Sequence, residues 1–512
     1  MNASERAYIA IDLGAGSGRV VLARLRPDQF LMEEVRRFRY EPVLHNGRLQ
    51  WPAFDIFTEL KAGLRQAAVY ARDQGATVAS IGIDSWGVDY GLIDAEGDLV
   101  EDPVCYRDPR TEQMMEKVFK RVPREEIYAR TGIQCLAFNT LFQLAAHVEA
   151  GLPPRATRLL LIPDLFHFLL TGRAVTEYTN ATTTQLLRCG SAHWDIELMD
   201  RLGLPTNLFG EIVPAGTPVG PLKPQLAGEL ELEGVNVVAP ATHDTGSAVV
   251  GAPFEKGGAF ISSGTWSLAG VELDAPLINS DTARHNFTNE GGAFGTTRFL
   301  KNVMGLWILE SCRKEWADQN LDVPYDALLR GLNLDETSRT LLFPDDQRLF
   351  APRSMLSAIA TQMEETGQSV PIDPVACAKS ILDSLALRCA SVVRTIERLM
   401  GSAVREIHIV GGGSRNDYLN QIISNVSGLP VAAGPVEATA IGNILVQAIH
   451  AGRFKTLQEG RRYVRNNMML KHFTPRRAPA WEEAQRRYAE IEARYADDAP
   501  SAGARTSGAA EL

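Results

Sequence analysis

The sequence predicts an α/β fold of two related domains, each a mixed β-sheet flanked by helices. Three observations carry this. The chain has 512 residues, 45% of them hydrophobic, more than a single core usually holds. Runs of consecutive strands are followed by amphipathic helices, the mark of a mixed sheet in α/β layers. The pattern that opens the chain returns near Ala259.

The first segment reads as the strand AYIAIDLG, the turn AGSG and the strand RVVLARL, with a third strand in FLMEEVRRFRY. A helix follows from about Ala53 to Arg72, with Phe57, Leu60, Leu64, Ala67 and Ala71 on one face and Gly75 just past its end. VASIGIDSW and DYGLID read as further strands. The most apolar stretch, Leu159 to Leu170, is short and carries Pro163, Asp164 and His167, which predicts a buried helix. Around Ala259, GGAFISSGTWSLAGVEL repeats the opening shape, and setting Gly14 over Gly264 places Ile11 over Ile261. A boundary is expected between Asp244 and Pro253, giving domains over 1–250 and 251–475. In the second half, Asp373 is the expected N-cap and Pro374 the first residue of a long helix that stops at Gly401. The strand EIHIV, the turn GGGSRN and a helix through Leu419, Ile422 and Val426 come next. A last helix over 476–496 and a small, polar, disordered tail over 497–512 complete the reading.

Composition narrows the function. A formal charge of −10 with no Lys/Arg-rich block disfavours nucleic acid and anionic membranes as partners. No basic stretch leads into an apolar one at the N-terminus, so a cytoplasmic location is expected. The six cysteines are scattered without a CxxC pair and read as free, mostly buried thiols. No His/Cys cluster suggests zinc.

Chemistry is carried by three glycine-rich turns after predicted strands: Gly14 to Gly18, Gly264 to Thr265, and Gly411 to Gly413. Such turns let backbone N–H groups approach an anion, and three together suit a nucleoside triphosphate lying between two domains. IDLGAGSGR also looks like a methyltransferase loop, but that loop opens a helix, and here a β-branched strand follows. No GxxxxGK[ST] motif is present. Asp12, ending the first strand, suits either a Mg²⁺ ligand or a brace for the turn. Asp244, in VVAPATHDTGSAVV, suits either a general base or a helix N-cap.

These motifs resemble the FGGY carbohydrate kinases. The segments that carry the resemblance are DLGAGSGR, GIDSWGVD, YRDPRT, EYTNATTTQL, ATHDT, SSGTWSL, TNEGG, LKNVMGLW, IVGGG and GPVEATAIGN, spread from about Tyr8 to Pro475. The resemblance implies two actin-like (ribonuclease H-like) domains with the active site in the cleft between them, and ATP and Mg²⁺ as phosphoryl donor. It makes Asp244 the proton acceptor, with Gly87, His243, Thr245 and Asn302 beside it at the sugar. It gives Ala15, Gly16, Ser17, Gly18 and Arg19 to the first phosphate loop, Thr265, Glu310 and Gly412 to further ATP contacts, and Asp12 to the metal. Glu310 stands where a close relative within the family has Gln. Gly87 and Val88 stand where glycerol kinases carry Arg-Glu, which argues against glycerol. The implied substrate is L-rhamnulose, phosphorylated at its C1 hydroxyl, with L-fuculose or a xylulose as alternatives. A catalytically inert actin-like regulator is the remaining alternative. Trp86 suits either the apolar face of a sugar or the core.

Overall fold

The computed structural model describes residues 5–321, 323–350, 352–476 and 478–496. The expected tail over 497–512 lies outside them. Two mixed sheets form the frame. The first contains β1 (Glu5–Gly14), β2 (Ser17–Arg26), β3 (Gln29–Arg39), β4 (Ala76–Ser85), β5 (Pro218–Pro221) and β6 (Asn236–Val238), in the order β5-β6-β4-β1-β2-β3. The second contains β7 (Ala259–Ser263), β8 (Trp266–Leu273), β9 (Thr288–Gly291), β10 (Thr297–Met304), β11 (Ile407–Val410), β12 (Val431–Ala433) and β13 (Lys471–Phe473). Their order is β9-β10-β8-β7-β11-β12-β13. In each sheet the leading strand pairs antiparallel with the next and parallel with a later one: β1 with β2 and β4, β7 with β8 and β11. The repeat visible around the glycine turns is therefore a repeat of topology, as an actin-like pair of domains requires.

Strand β1 is apolar without alternation because helices cover both of its faces. Ile9, Ile11 and Leu13 pack on one side with Leu60 and Leu64 of helix α1 (Ala53–Asp73). Tyr8 and Ala10 face the opposite way, into a separate core. The other principal helices are α2 (Asp244–Gly251), α3 (Trp307–Asp318), α4 (Pro374–Met400), α5 (Asp417–Ser427), α6 (Ala438–His450) and α7 (Pro479–Ala496). Helix α4 starts as its sequence dictates: the Asp373 side chain accepts hydrogen bonds from Val375 and Ala376 N–H, both at 3.0 Å, and Gly401 ends it in the left-handed region. The stretch Leu159 to Leu170 departs from the single helix expected. Its first residues pair as a strand with Tyr90–Ile93, and the helix begins only at Ile162, where Pro163 in the first turn lacks the N–H a strand would need. All six cysteines are free, and only Cys189 is not fully buried. Among the described residues no helix is long and apolar enough to cross a membrane.

Helix α6 comes late in the chain yet packs on the first sheet, burying Ile441, Ile444 and Leu445 against Tyr8, Ala10 and Val21. It crosses α2 at backbone distance. A Cβ on Gly442 would lie 1.8 Å from the Ser247 carbonyl oxygen, and one on Gly251 would lie 2.1 Å from that of Ala438. Polar ties fix the helix further. Asn443 Nδ2 donates to Asp84 Oδ2 at 2.5 Å, and Gln447 Nε2 donates to the Ile9 carbonyl at 2.9 Å. Because the clash is with backbone, Gly442→Ala should destabilise the protein by about 3 kcal/mol, the upper part of the overpacking range. Chemical denaturation checks this, and a surface Gly234→Ala control tests only its own left-handed φ of 76°.

Candidate active site

A cleft of about 660 Å³ opens where the loop ends of the two sheets face each other. All three glycine turns line it. In the first, pairing of Gly14 with Ser17 leaves Ala15 and Gly16 as a two-residue hairpin turn, so the strand–turn–strand context is real and the methyltransferase alternative fails. Tyr40 donates its hydroxyl proton to the Gly14 carbonyl at 2.5 Å and braces that turn. In the second, Gly264 N–H donates to the Trp266 carbonyl at 2.8 Å. In the third, Gly411 has a φ of 80°, and a Cβ there would come 2.9 Å from the Ser263 carbonyl oxygen. Only glycine fits that position.

The residues singled out in the sequence divide accordingly. Ala15, Gly16, Ser17 and Arg19 line the cleft with Thr265 and Gly412, on the nucleotide side of the reading. Gly87, His243, Asp244, Thr245 and Asn302 line it on the sugar side. Two do not reach it. Gly18 lies beneath the Phe38 ring, which a Cβ would meet at 2.4 Å, so its glycine serves packing. Glu310 points outward from the first turn of α3 and pairs with Arg313 at 2.8 Å.

Three aspartates gather at the cleft: Asp12 and Asp244 line it, and Asp84 lies buried behind Asp12. Asp12 sits opposite Asp84 in the parallel β1–β4 register, and Asp12 Oδ2 accepts from Arg19 Nη2 at 2.6 Å and Nε at 2.9 Å. Arg19 also pairs with Glu437 at the head of α6. Asp84 is fully buried; burial and the Asp12 charge push its carboxyl well above the usual range. Asp244 opens α2 just after the capping position, which His243 occupies, so the N-cap alternative does not hold. Burial raises the Asp244 carboxyl, His243 opposes that, and Asp12 adds to it. Its Oδ1 accepts from Thr245 N–H at 2.5 Å. The preceding loop is anchored by the buried Glu177, whose Oε2 accepts from Thr242 N–H and Oγ1, both at 2.9 Å.

The side of the cleft read as the sugar's is held by residues that sequence reasoning did not single out. Asp89 is buried and accepts hydrogen bonds from Trp51 Nε1 (2.7 Å), Trp86 Nε1 (2.9 Å), Gln143 Nε2 (2.9 Å) and Tyr106 N–H (3.2 Å). Trp86 packs in a tilted aromatic group with Tyr40 and Trp51 and also lines the cleft. Val88 has a φ of 68°, a strained conformation for a β-branched residue. It persists because Thr140 Oγ1 donates to its carbonyl at 2.7 Å and its N–H donates to Thr183 Oγ1 at 3.2 Å. Across the cleft, Gln134 Oε1 accepts from Asn302 N–H (3.1 Å) and Nδ2 (3.0 Å). Asp84 and Asp89 both lie in GIDSWGVD, where nothing in the spacing distinguishes them; Gln134 has no signal in the sequence at all.

Three glycine turns, a carboxylate able to take a proton and a walled polar pocket suit phosphoryl transfer. Comparison with known proteins gives it a family. Residues 7–251 match the N-terminal domain model of the FGGY family of carbohydrate kinases, and residues 259–451 match its C-terminal domain model. The chain belongs to this family and is a carbohydrate kinase that uses ATP. A rhamnulokinase of Oceanobacillus iheyensis is 40% identical over 468 residues, 91% of this chain and 98% of that protein. Those of Bacteroides thetaiotaomicron (40%, covering 93% and 97%) and Pectobacterium carotovorum (42%, covering 91% and 93%) are comparably similar. Among solved structures, gluconate kinase from Lactobacillus acidophilus aligns with a TM-score of 0.78 at 16% identity, covering 97% of this chain and 99% of that one. Xylulose kinase from the same organism aligns at 0.77 and 16%, covering 96% and 99%. At that identity the structures speak to the two-domain fold alone.

Removing the Gln134 amide frees Asn302 from two hydrogen bonds, roughly 1.4 kcal/mol of ordering. Gln134→Ala should therefore raise KM for the sugar about tenfold and leave KM for ATP unchanged. Steady-state kinetics with each substrate varied in turn checks the split.

Proposed function

We propose that this chain transfers the γ-phosphoryl group of ATP to the C1 hydroxyl of L-rhamnulose, giving L-rhamnulose 1-phosphate and ADP. The observation that carries the reading is Asp244: a carboxylate on a helix start, in the cleft, opposite three glycine turns. Relatives named rhamnulokinase, matched over nearly their full length, support the choice of sugar. In this reading residues 1–250 hold the sugar and the first phosphate loop, and residues 251–475 hold most of the ATP.

Asp244 accepts the C1 hydroxyl proton as that oxygen forms its bond to the γ-phosphorus. The bond from γ-phosphorus to the bridging oxygen breaks, and ADP leaves with the electron pair. Backbone N–H groups at Thr265 and Gly412, both lining the cleft, would stabilise the charge that develops on the phosphates. Trp86 and the Gly87–Val88 segment wall the sugar, and closure around it excludes water. Asp12 suits Mg²⁺. Arg19 engages only its Oδ2, so Oδ1 could join a Mg²⁺ shell completed by phosphates and waters. When bound there, the ion supplies charge neutralisation on the phosphates.

A coupled ADP-release assay across L-rhamnulose, L-fuculose, D- and L-xylulose, D-ribulose and glycerol tests the reading; kcat/KM should be highest for L-rhamnulose. A clearly higher value for another ketose would replace the sugar and leave the class. Asp244→Asn should lower kcat by roughly 10² or more without changing the thermal midpoint greatly. The pH profile follows from the raised Asp244 carboxyl. The base acts when ionised, so kcat/KM falls as pH drops through a pKa raised above the roughly 3.9 of a free aspartate. An acid limb below pH of about 4 would remove Asp244 from the role.

A further inference from the structure

His243 stands between the proposed base and a buried ion pair, with each ring nitrogen committed. Its Nε2 lies 3.5 Å from Asp244 Oδ1. Its Nδ1 lies 3.1 Å from Arg298 Nη2, within a hydrogen bond, and 3.3 Å from Glu290 Oε2. Arg298 is fully buried, donates Nε–H to the Gly291 carbonyl at 2.9 Å, and sets Nη1 3.2 Å from the same Glu290 oxygen. Neither residue is explained by packing alone, since a buried charge is costly unless paired.

The direction of the His243–Arg298 bond follows from chemistry. A guanidinium has donors and no acceptor, so the ring nitrogen facing it must offer a lone pair. Nδ1 is then unprotonated and the ring proton sits on Nε2, facing Asp244. Glu290 Oε2 accepts no hydrogen bond in the structure, which fits an oxygen that balances the Arg298 charge while leaving Nδ1 to it. At Asp244, both donations from Thr245, N–H at 2.5 Å and Oγ1 at 3.2 Å, go to Oδ1, the oxygen that also faces Nε2. One carboxylate oxygen is thus occupied from the protein side, and Oδ2 is left for a substrate hydroxyl.

We propose that Glu290 and Arg298 are positioning residues that fix His243 as its Nε2–H tautomer, and that this N–H orients the Asp244 carboxylate with Oδ2 toward the sugar. The inference rests on the reading of Asp244 as the base. At 3.5 Å the two atoms are close to, but not within, a well-formed hydrogen bond, and the proposal requires the separation to shorten when the sugar binds.

The direct test is ¹⁵N NMR of histidine-labelled protein, with the His243 signals assigned by their loss in His243→Gln. The expected pattern is an unprotonated Nδ1 and a protonated Nε2; a protonated Nδ1 overturns the proposal. Kinetics supply the second arm. Arg298→Met/Glu290→Gln removes both charges together and leaves no unpaired ion. It should lower kcat about tenfold, the scale of a misoriented base, with KM for ATP unchanged. Arg298→Lys, which still donates to Nδ1, should recover most of that loss. An unchanged kcat in the double variant, beside an inactive Asp244→Asn, overturns the proposal as well. The NMR arm needs no substrate, so it decides the tautomer even where an active Asp244→Asn enzyme has removed the base assignment.

Discussion

The crossing of α2 and α6 is the constraint on which the cleft depends. Gly251 and Gly442 let the two helix backbones touch, so the helix that starts at Asp244 and the helix capped near Glu437 cannot drift apart. One end of this crossing carries the proposed base. The other end reaches Arg19, which joins Glu437 to Asp12 on the first sheet. Side chains at either position would separate the helices and, with them, the base from the phosphate turns. Asn443 and Gln447 reinforce the contact from within, satisfying β1 and β4 polar groups that no water can reach.

Three carboxyl groups so close together cannot all stay ionised without cost, and their surroundings decide which one yields. Asp12 keeps a guanidinium against it. Asp84 has only the Asn443 amide and is sealed from solvent, so burial and the neighbouring Asp12 charge raise its carboxyl well above the usual range. Asp244 lies between these cases. It is raised, which favours proton transfer from an alcohol, yet its partners are N–H and O–H donors that sustain the charged form. The same logic repeats behind it, where Arg298 and Glu290 neutralise each other in full burial and Glu290 stays ionised under the guanidinium charge despite its burial.

Much of the fold was legible because its signals are local. A strand covered on both faces is apolar without alternation, a glycine turn interrupts it, and Asp373-Pro374 announces a helix; each survives unchanged in the structure. Leu159 to Leu170 was misread because a buried strand and a buried helix look alike in hydropathy, and only the pairing with Tyr90–Ile93 separates them. Within the site, residues on glycine turns could be found, since glycine marks backbone that approaches something. Gly18 is the exception, where the approaching group is Phe38. Asp89, Gln134 and Arg298 could not be found this way. Their meaning lies in partners 38, 168 and 55 residues distant, which no spacing rule encodes.

The same distinction separates what makes this chain a kinase from what makes it choose a sugar. In the proposed reading phosphate recognition rests on backbone N–H groups, and backbone geometry is written in glycine. The wall proposed for the sugar is made of side chains held by other side chains: Trp86 by Asp89, Asn302 by Gln134, His243 by Arg298. Asp89 and Arg298 are buried behind the cleft wall, so each can set a rotamer or a tautomer without touching a ligand, while Gln134 lines the cleft itself. Val88 shows how tightly this scaffold is held, since a β-branched residue keeps a left-handed φ only where bonds from Thr140 and to Thr183 outweigh the strain. A pocket built this way can change its preferred sugar through residues behind the wall while its phosphate turns stay the same, which fits one family fold serving several carbohydrates.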